Sequence, residues 1–272
     1  MTAQEFFTPL TFDFLWEAAG LGEVPYPLRA RSHGATEDER AALRQRANVE
    51  LKARGLRDQA GRLQPHIEEW FVLLSRPSIS VDALHIPEFQ KSPIGVLAAS
   101  DGTDAVIAIQ DTDGVWLRPA FAEGLVSAVI DLLPPGGRGS EASITLPVEE
   151  ALRVSPSRVP VPAGEAAPEP GRRRRTPLSE RVTDPREAYA RLIGQPRLRG
   201  GQLVANSRDD LGGRQRSPVL AWFDTASGRY LSLSRSGSDG RDWITVAPAD
   251  AMTLRSRLGE MVATVSPGNP WS

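Results

Sequence analysis

Cysteine is absent from all 272 residues, which removes disulfides, iron–sulfur clusters and cysteine-based zinc sites, and suits a reducing cytoplasm. Histidine is scarce: His33, His66 and His85 fall in a loop, at a helix start and at a strand end, without metal-ligand spacing. Surface or capping roles are expected of them, and no metal or cofactor is expected of the chain. No apolar run approaches the roughly 18 residues that span a bilayer, so membrane insertion is not expected. The first residues, MTAQEFFTPLTF, lack the basic leader and apolar stretch of a signal peptide. There is no P-loop, Rossmann glycine fingerprint, nucleophile elbow or His-Glu-x-x-His motif. The net charge of -2 exerts no global pull toward nucleic acid.

What is present is a globular composition, 40% hydrophobic with 24% charge, long enough for one large domain or two ordinary ones. Phe12, Leu15, Trp16 and Ala19 recur at helical spacing between a Thr8 cap and a Gly20 stop. A second helix is predicted over Glu37 to Arg54 and a third over Pro65 to Ser75. From Ile79 the period changes to that of strands: ISVDALHI, IGVLAAS, DAVIAIQD and GVWLRPA, with Asp-Gly pairs at 101–102 and 113–114 marking hairpins. A helix follows over Ala122 to Leu133, then a strand ending at Leu146 and a brief helix in PVEEALRV. Residues 155–177 carry prolines, four consecutive arginines and no aromatic, the composition of a flexible linker. Beyond it a helix capped by Asp184-Pro185, strands near 201–207, 217–224, 228–235 and 241–247, and a final helix from Pro248 to Val265 repeat the earlier order.

The repeat also appears residue by residue. LLSRPSISVDAL (73–84) lies over LIGQPRLRGGQL (192–203), GVLAASD (95–101) over PVLAWFD (218–224), and WLRPAFAEGL (116–125) over WITVAPADAM (243–252). Four-stranded meanders leave hydrogen-bonding edges open, and joining two of them covers two such edges. The expected fold is therefore α/β of the α+β type. It is a single mixed domain with a quasi-twofold repeat, composed of a half at 1–154, the linker at 155–177 and a half at 178–272. A remaining free edge leaves room for a weak homodimer.

Three local features compete for a function. Ser32 and His33 adjoin each other in RSHGATEDER, a hydrolase reading, but sequence neighbours rarely aim side chains at one another as nucleophile and base must. Thr36 to Glu39 instead matches the capping box of a helix start. Arg172 to Arg175 could neutralise phosphates in a nucleic-acid-binding module, but no aromatics are interleaved for base stacking, and a solvated charge run is the plainer account. The aromatics Trp116, Trp222, Phe223, Tyr230 and Trp243 suit a core. Consecutive Trp222 and Phe223 must face opposite sides of a sheet, however, and an uncovered side would be a protein-binding patch.

The segments TFDFLWEAAGLGEVPYPLRARSHGATEDER, LIGQPRLRGGQLVANSR, WFDTASGRYLSLSR and DGRDWITVAPADAMTLRSRLGEM, in that order, resemble the EspG-type ESX (type VII) secretion-associated proteins of actinobacteria. The resemblance implies a quasi-twofold α/β domain with a central antiparallel sheet flanked by two helical bundles. It implies a cytosolic chaperone, not an enzyme, that binds a PE–PPE-like heterodimer or another helical secretion substrate and keeps it soluble. Partner contacts then fall on the hairpin at Ser100, Gly102, Thr103 and Asp104, on Arg208, and on the sheet at Trp222, Arg229, Tyr230, Ser232 and Ser234.

Overall fold

The computed structural model describes residues 4–154, 184–209 and 211–266; the expected linker and Arg172 to Arg175 lie outside the described residues. The chain opens with β1 (Glu5–Phe7), then α1 (Pro9–Ala19), α2 (Glu37–Ala53) and α3 (Pro65–Ser75). A meander follows: β2 (Ile79–Ile86), β3 (Ile94–Ser100), β4 (Asp104–Gln110) and β5 (Val115–Phe121), closed by a 3-10 turn and the short α4 (Leu125–Ile130). Next come β6 (Ile144–Pro147), α5 (Val148–Arg153) and α6 (Pro185–Ile193). The second meander is β7 (Arg199–Arg208), β8 (Arg214–Arg216), β9 (Leu220–Thr225), β10 (Gly228–Ser236) and β11 (Asp242–Pro248), ended by α7 (Ala251–Val265). No helix of the described residues is long and apolar enough to cross a membrane.

Local chemistry explains the helix boundaries. Thr8 accepts a hydrogen bond from the Thr11 amide, and Gly20 ends α1 in the left-handed conformation at φ 64. Thr36 accepts from the Glu39 amide at 3.2 Å, as a capping box requires. The return bond differs by one residue: the Glu39 carboxylate accepts from the Ala35 amide, 2.7 Å, rather than from Thr36. Asp184 caps α6 by accepting from the Arg186 amide.

The strands form one antiparallel sheet of 11 strands in the order β1-β5-β4-β3-β2-β7-β9-β10-β11-β6, with β8 beside the end of β7. Reading outward from the central β2–β7 ladder, the order on one side mirrors the other, so the two meanders share a single sheet about a twofold axis. In that ladder Ala83 pairs with Leu203, Val81 with Ala205 and His85 with Gly201. The Ser78 and Leu198 amides make matching bonds, to Ser100 O and Asp224 O at the two hairpins, which places the axis at the Ala83–Leu203 pair and makes Val81 equivalent to Gly201. The sequence alignment that matched Leu84 to Leu203 is one residue out. Such a slip exchanges the two faces of a strand, which a comparison of letters does not penalise but a packed sheet does. At the outer strands Val106 pairs with Pro119 as Tyr230 pairs with Pro248, so Pro119 matches Pro248 and the Trp116–Trp243 match moves by two.

The repeat boundary moves as well. β6 pairs with β11, as β1 pairs with β5, and β6, α5 and α6 share a buried cluster of Ile144, Leu146, Leu192, Phe223, Tyr230 and Val246. Residues 144–154, assigned from sequence to the first half, therefore build the second.

One face of the sheet is covered by α4 and α7, over Val81, Ala83, Ile107, Leu203, Trp222 and Leu231. The opposite face is covered at its two ends. At the N-terminal end α1, α2 and α3 bury Phe7, Phe12, Trp16, Trp70 and Phe71 against Leu97, Val106 and Leu117. The other end lies under α5 and α6. Between the two bundles the central strands turn this face outward.

Candidate functional site: the open face of the central sheet

The uncovered stretch follows from strand alternation. On β2, β7, β9 and β10 the residues on the bundle side include Asp82, Gln202, Ala221, Ser232 and Ser234, whereas their neighbours are held beneath α4 and α7. Gln202 and Ser234 are exposed, and Ser232 and Ala221 half-buried. Towards one end this face deepens into a groove of about 650 Å³, walled by the end of α3, the loop after α1, β2, β7 and β8.

Asp82 forms the groove floor and is 3% exposed. Its carboxylate accepts from the Asn206 side-chain amide and lies 3.6 Å from Arg216 Nη2, while Arg216 Nη1 donates to Asn206 Oδ1 at 3.0 Å. Burial raises the Asp82 pKa; the Asn206 hydrogen bond and the Arg216 charge oppose that rise without cancelling it. None of Asp82, Asn206 and Arg216 was singled out from sequence. The available signal was an acid inside ISVDALHI and an amide inside QLVANS, polar residues in strands otherwise bound for burial.

The hairpin between β3 and β4 sits at the same sheet end. The Ser78 amide donates to Ser100 O and the Arg208 amide to Ser78 O, which lines up the hairpin base, the start of β2 and the end of β7. Ser100 is buried and serves the turn: its hydroxyl donates to Asp104 O at 2.8 Å and accepts from the Gly102 amide at 2.9 Å. Asp101 Oδ1 accepts from the Thr103 and Asp104 amides, and these bonds hold its pKa below the usual carboxylate range. Gly102, Thr103 and Asp104 project into solvent.

Trp222, Arg229 and Tyr230 do not join that surface, which corrects their expected role in partner contact. They are 1%, 1% and 0% exposed. Arg229 pairs in register with Asp224 across the β9–β10 hairpin and donates to it from Nε at 2.7 Å and Nη2 at 2.9 Å. Arg199 Nε donates to the same carboxylate at 2.6 Å, Arg229 Nη2 and Arg199 Nη2 donate to the Pro134 and Pro135 carbonyls respectively, each at 2.6 Å, and Trp222 lies under Arg229 at 4.5 Å. Tyr230 packs on the other face against Phe223, and its hydroxyl accepts from the Glu141 amide. The missed signal was an acid and an arginine facing each other once the turn between them is assigned.

His85 is buried too, 2% exposed, contrary to the surface role expected of it. Desolvation, helped by the nearby Arg229 charge, lowers its pKa to about 4, so it is neutral at pH 7. Ser32 and His33 form no nucleophile–base contact: the Ser32 hydroxyl accepts from Arg40 at 2.5 Å, while His33 Nδ1 lies 3.2 Å from Asp13. Arg40 also donates to the His33 carbonyl and pairs with Glu17, fastening the loop to α1 and α2. Among the described residues no group of three or more His, Asp or Glu lies where it could hold a metal ion.

Comparison with curated sequences finds no match. Among solved structures the chain is similar to the Mycobacterium tuberculosis type VII secretion system chaperone EspG5, solved in complex with a PE25-PPE41 dimer. The TM-score is 0.67 at 14% identity over 99% of each chain, so the whole architecture is shared while few side chains are. A family model described as the EspG family matches residues 8–260, a span running from the first helix cap into the last helix and taking in both meanders. With that extent of agreement, the chain belongs to the EspG family.

Proposed function

We propose that this protein is a cytosolic chaperone of a type VII secretion system that binds a PE–PPE-like heterodimer or another helical secretion substrate and catalyses no reaction. The observation that carries this reading is the end-to-end correspondence with a family member solved while holding such a dimer. The open sheet face supports it: this is a broad, half-polar surface beside a solvent-exposed hairpin, suited to a protein rather than to a small molecule. A helical substrate with an apolar tip self-associates when left bare, and reversible cover on this face suppresses that. In this reading Gly102, Thr103, Asp104, Arg208, Ser232 and Ser234 contact the partner, and Ser100 shapes the hairpin that does so.

The test is co-expression with helical protein pairs encoded beside this gene, followed by size-exclusion chromatography with light scattering. A co-eluting complex, and soluble substrate only in its presence, is the expected result. Failure of every such pair to co-elute would overturn the proposal.

A further inference from the structure

The groove beside the central ladder holds more positive charge than its own residues neutralise. Arg76 at the end of α3, Arg208 at the end of β7, and Arg214 and Arg216 on β8 all line it. Arg216 is engaged by Asp82 and Asn206. The side chains of Arg76, Arg208 and Arg214 make no hydrogen bond or ion pair with any described residue. Against these three stands one unengaged carboxylate in the wall, Glu23. The charge is also of one kind: of 32 basic residues in the chain only Lys52 and Lys91 are lysine, so every cation in the groove is a planar guanidinium fork.

We infer that this groove recognises carboxylates, and that the partner surface entering it is an acidic patch on a protein helix. The inference rests on the proposed chaperone function for the location of the partner. Its chemistry follows from the groove. An apolar surface placed here would strip water from three guanidiniums and return nothing, whereas aspartates or glutamates at helical spacing supply paired acceptors that match the forks. Arg76 also lines the adjoining depression that holds Asp101, Asp104, Glu68 and Glu69. A continuous polyanion such as nucleic acid would run across those acids, while a discrete carboxylate cluster stops short of them.

The probe is a fluorescein-labelled helical peptide of alanine and glutamate, compared with its glutamine counterpart and with a 12-mer of single-stranded DNA, by anisotropy on the full chain. The glutamate peptide is expected to bind, to weaken with added salt, and to lose about tenfold or more in affinity in the Arg76→Gln/Arg208→Gln/Arg214→Gln variant. Equal binding of the two peptides, unchanged affinity in the triple variant, or tighter binding of the DNA each overturns the inference. Should the triple variant fail to fold by circular dichroism, the exposed single substitutions Arg76→Gln and Arg214→Gln are read in its place. The two readings separate cleanly. A substrate complex indifferent to the triple substitution sinks the carboxylate site alone, while acidic-peptide binding without any substrate complex sinks the chaperone reading alone.

Discussion

The β3–β4 hairpin and the β9–β10 hairpin occupy equivalent places about the twofold axis, and their surroundings differ. At the first, Ala98, Ser100 and Ala105 are small, and the turn from Asp101 to Asp104 stands in solvent. At the second, the matching positions are Trp222, Asp224 and Arg229, and the turn is roofed by the segment after α4: the Gly139 amide donates to Arg229 O and the Ser140 amide to Ser227 O. The same ladder plan thus yields one hairpin standing free in solvent and another that anchors the segment after α4. Small residues leave a hairpin unattached; a buried ion cluster that needs carbonyl acceptors pulls a loop down onto it. The two ends of the fold divide the work through side-chain size and charge, with the backbone unchanged.

The largest expected effect breaks the anchored side. Asp224→Ala leaves Arg229 buried without its counter-ion and should cost about 3–5 kcal/mol in urea unfolding, whereas Ser100→Ala at the equivalent site removes two turn hydrogen bonds and should cost about 1–2 kcal/mol. Equal losses would mean that the cluster is not an anchor.

Next is acid sensitivity. His85 has a folded pKa near 4 against 6.5 for the free side chain, so its neutral form favours the folded state above pH 6.5 and that contribution is lost as pH falls toward 4. His85→Leu should remove about 3 kcal/mol of acid destabilisation across that window, measured as unfolding free energy against pH. Asp82 works with the opposite sign. Its raised pKa favours folding when protonated, below the free value of 3.8, and that advantage fades as pH rises through the folded value. Asp82→Asn should flatten that part of the profile.

A sharper comparison exchanges the turn residues. Gly228 has φ +110, and a Cβ there would meet Arg138 O at 2.6 Å, whereas its counterpart Asp104 is exposed. Gly228→Asp should destabilise by about 1–3 kcal/mol, and Asp104→Gly by less than about 1 kcal/mol, in thermal unfolding. The smallest effect is in the caps. Thr36→Ala and Asp184→Ala should each cost about 1 kcal/mol, loosening one bundle apiece.

How much of this was legible in the sequence depends on whether the deciding interaction is local. Helix starts were readable because Thr8, Thr36 and Asp184 act within three residues, and the 101–102 and 113–114 hairpins because Asp-Gly fixes a turn by itself. β1 and β8 escaped notice: EFF and RQR are three residues each, too short to show alternation, and become strands only because β5 and β7 offer them edges. The repeat was visible, but its register was not, since facing depends on partners far along the chain. The groove was illegible for the same reason. Arg76, Asp82, Asn206 and Arg214 come from four segments that meet only when β2 finds β7.

That ladder also sets a schedule for the chain during its synthesis. β2 can pair with β3 as soon as the first meander emerges, but its other edge belongs to β7, more than a hundred residues downstream. At roughly 5–20 residues per second, the bare edge of β2 waits on the order of 10 s for its partner. For that interval the chain carries an unpaired strand edge of the kind that recruits neighbouring chains, the very hazard the proposed chaperone would relieve in its substrates.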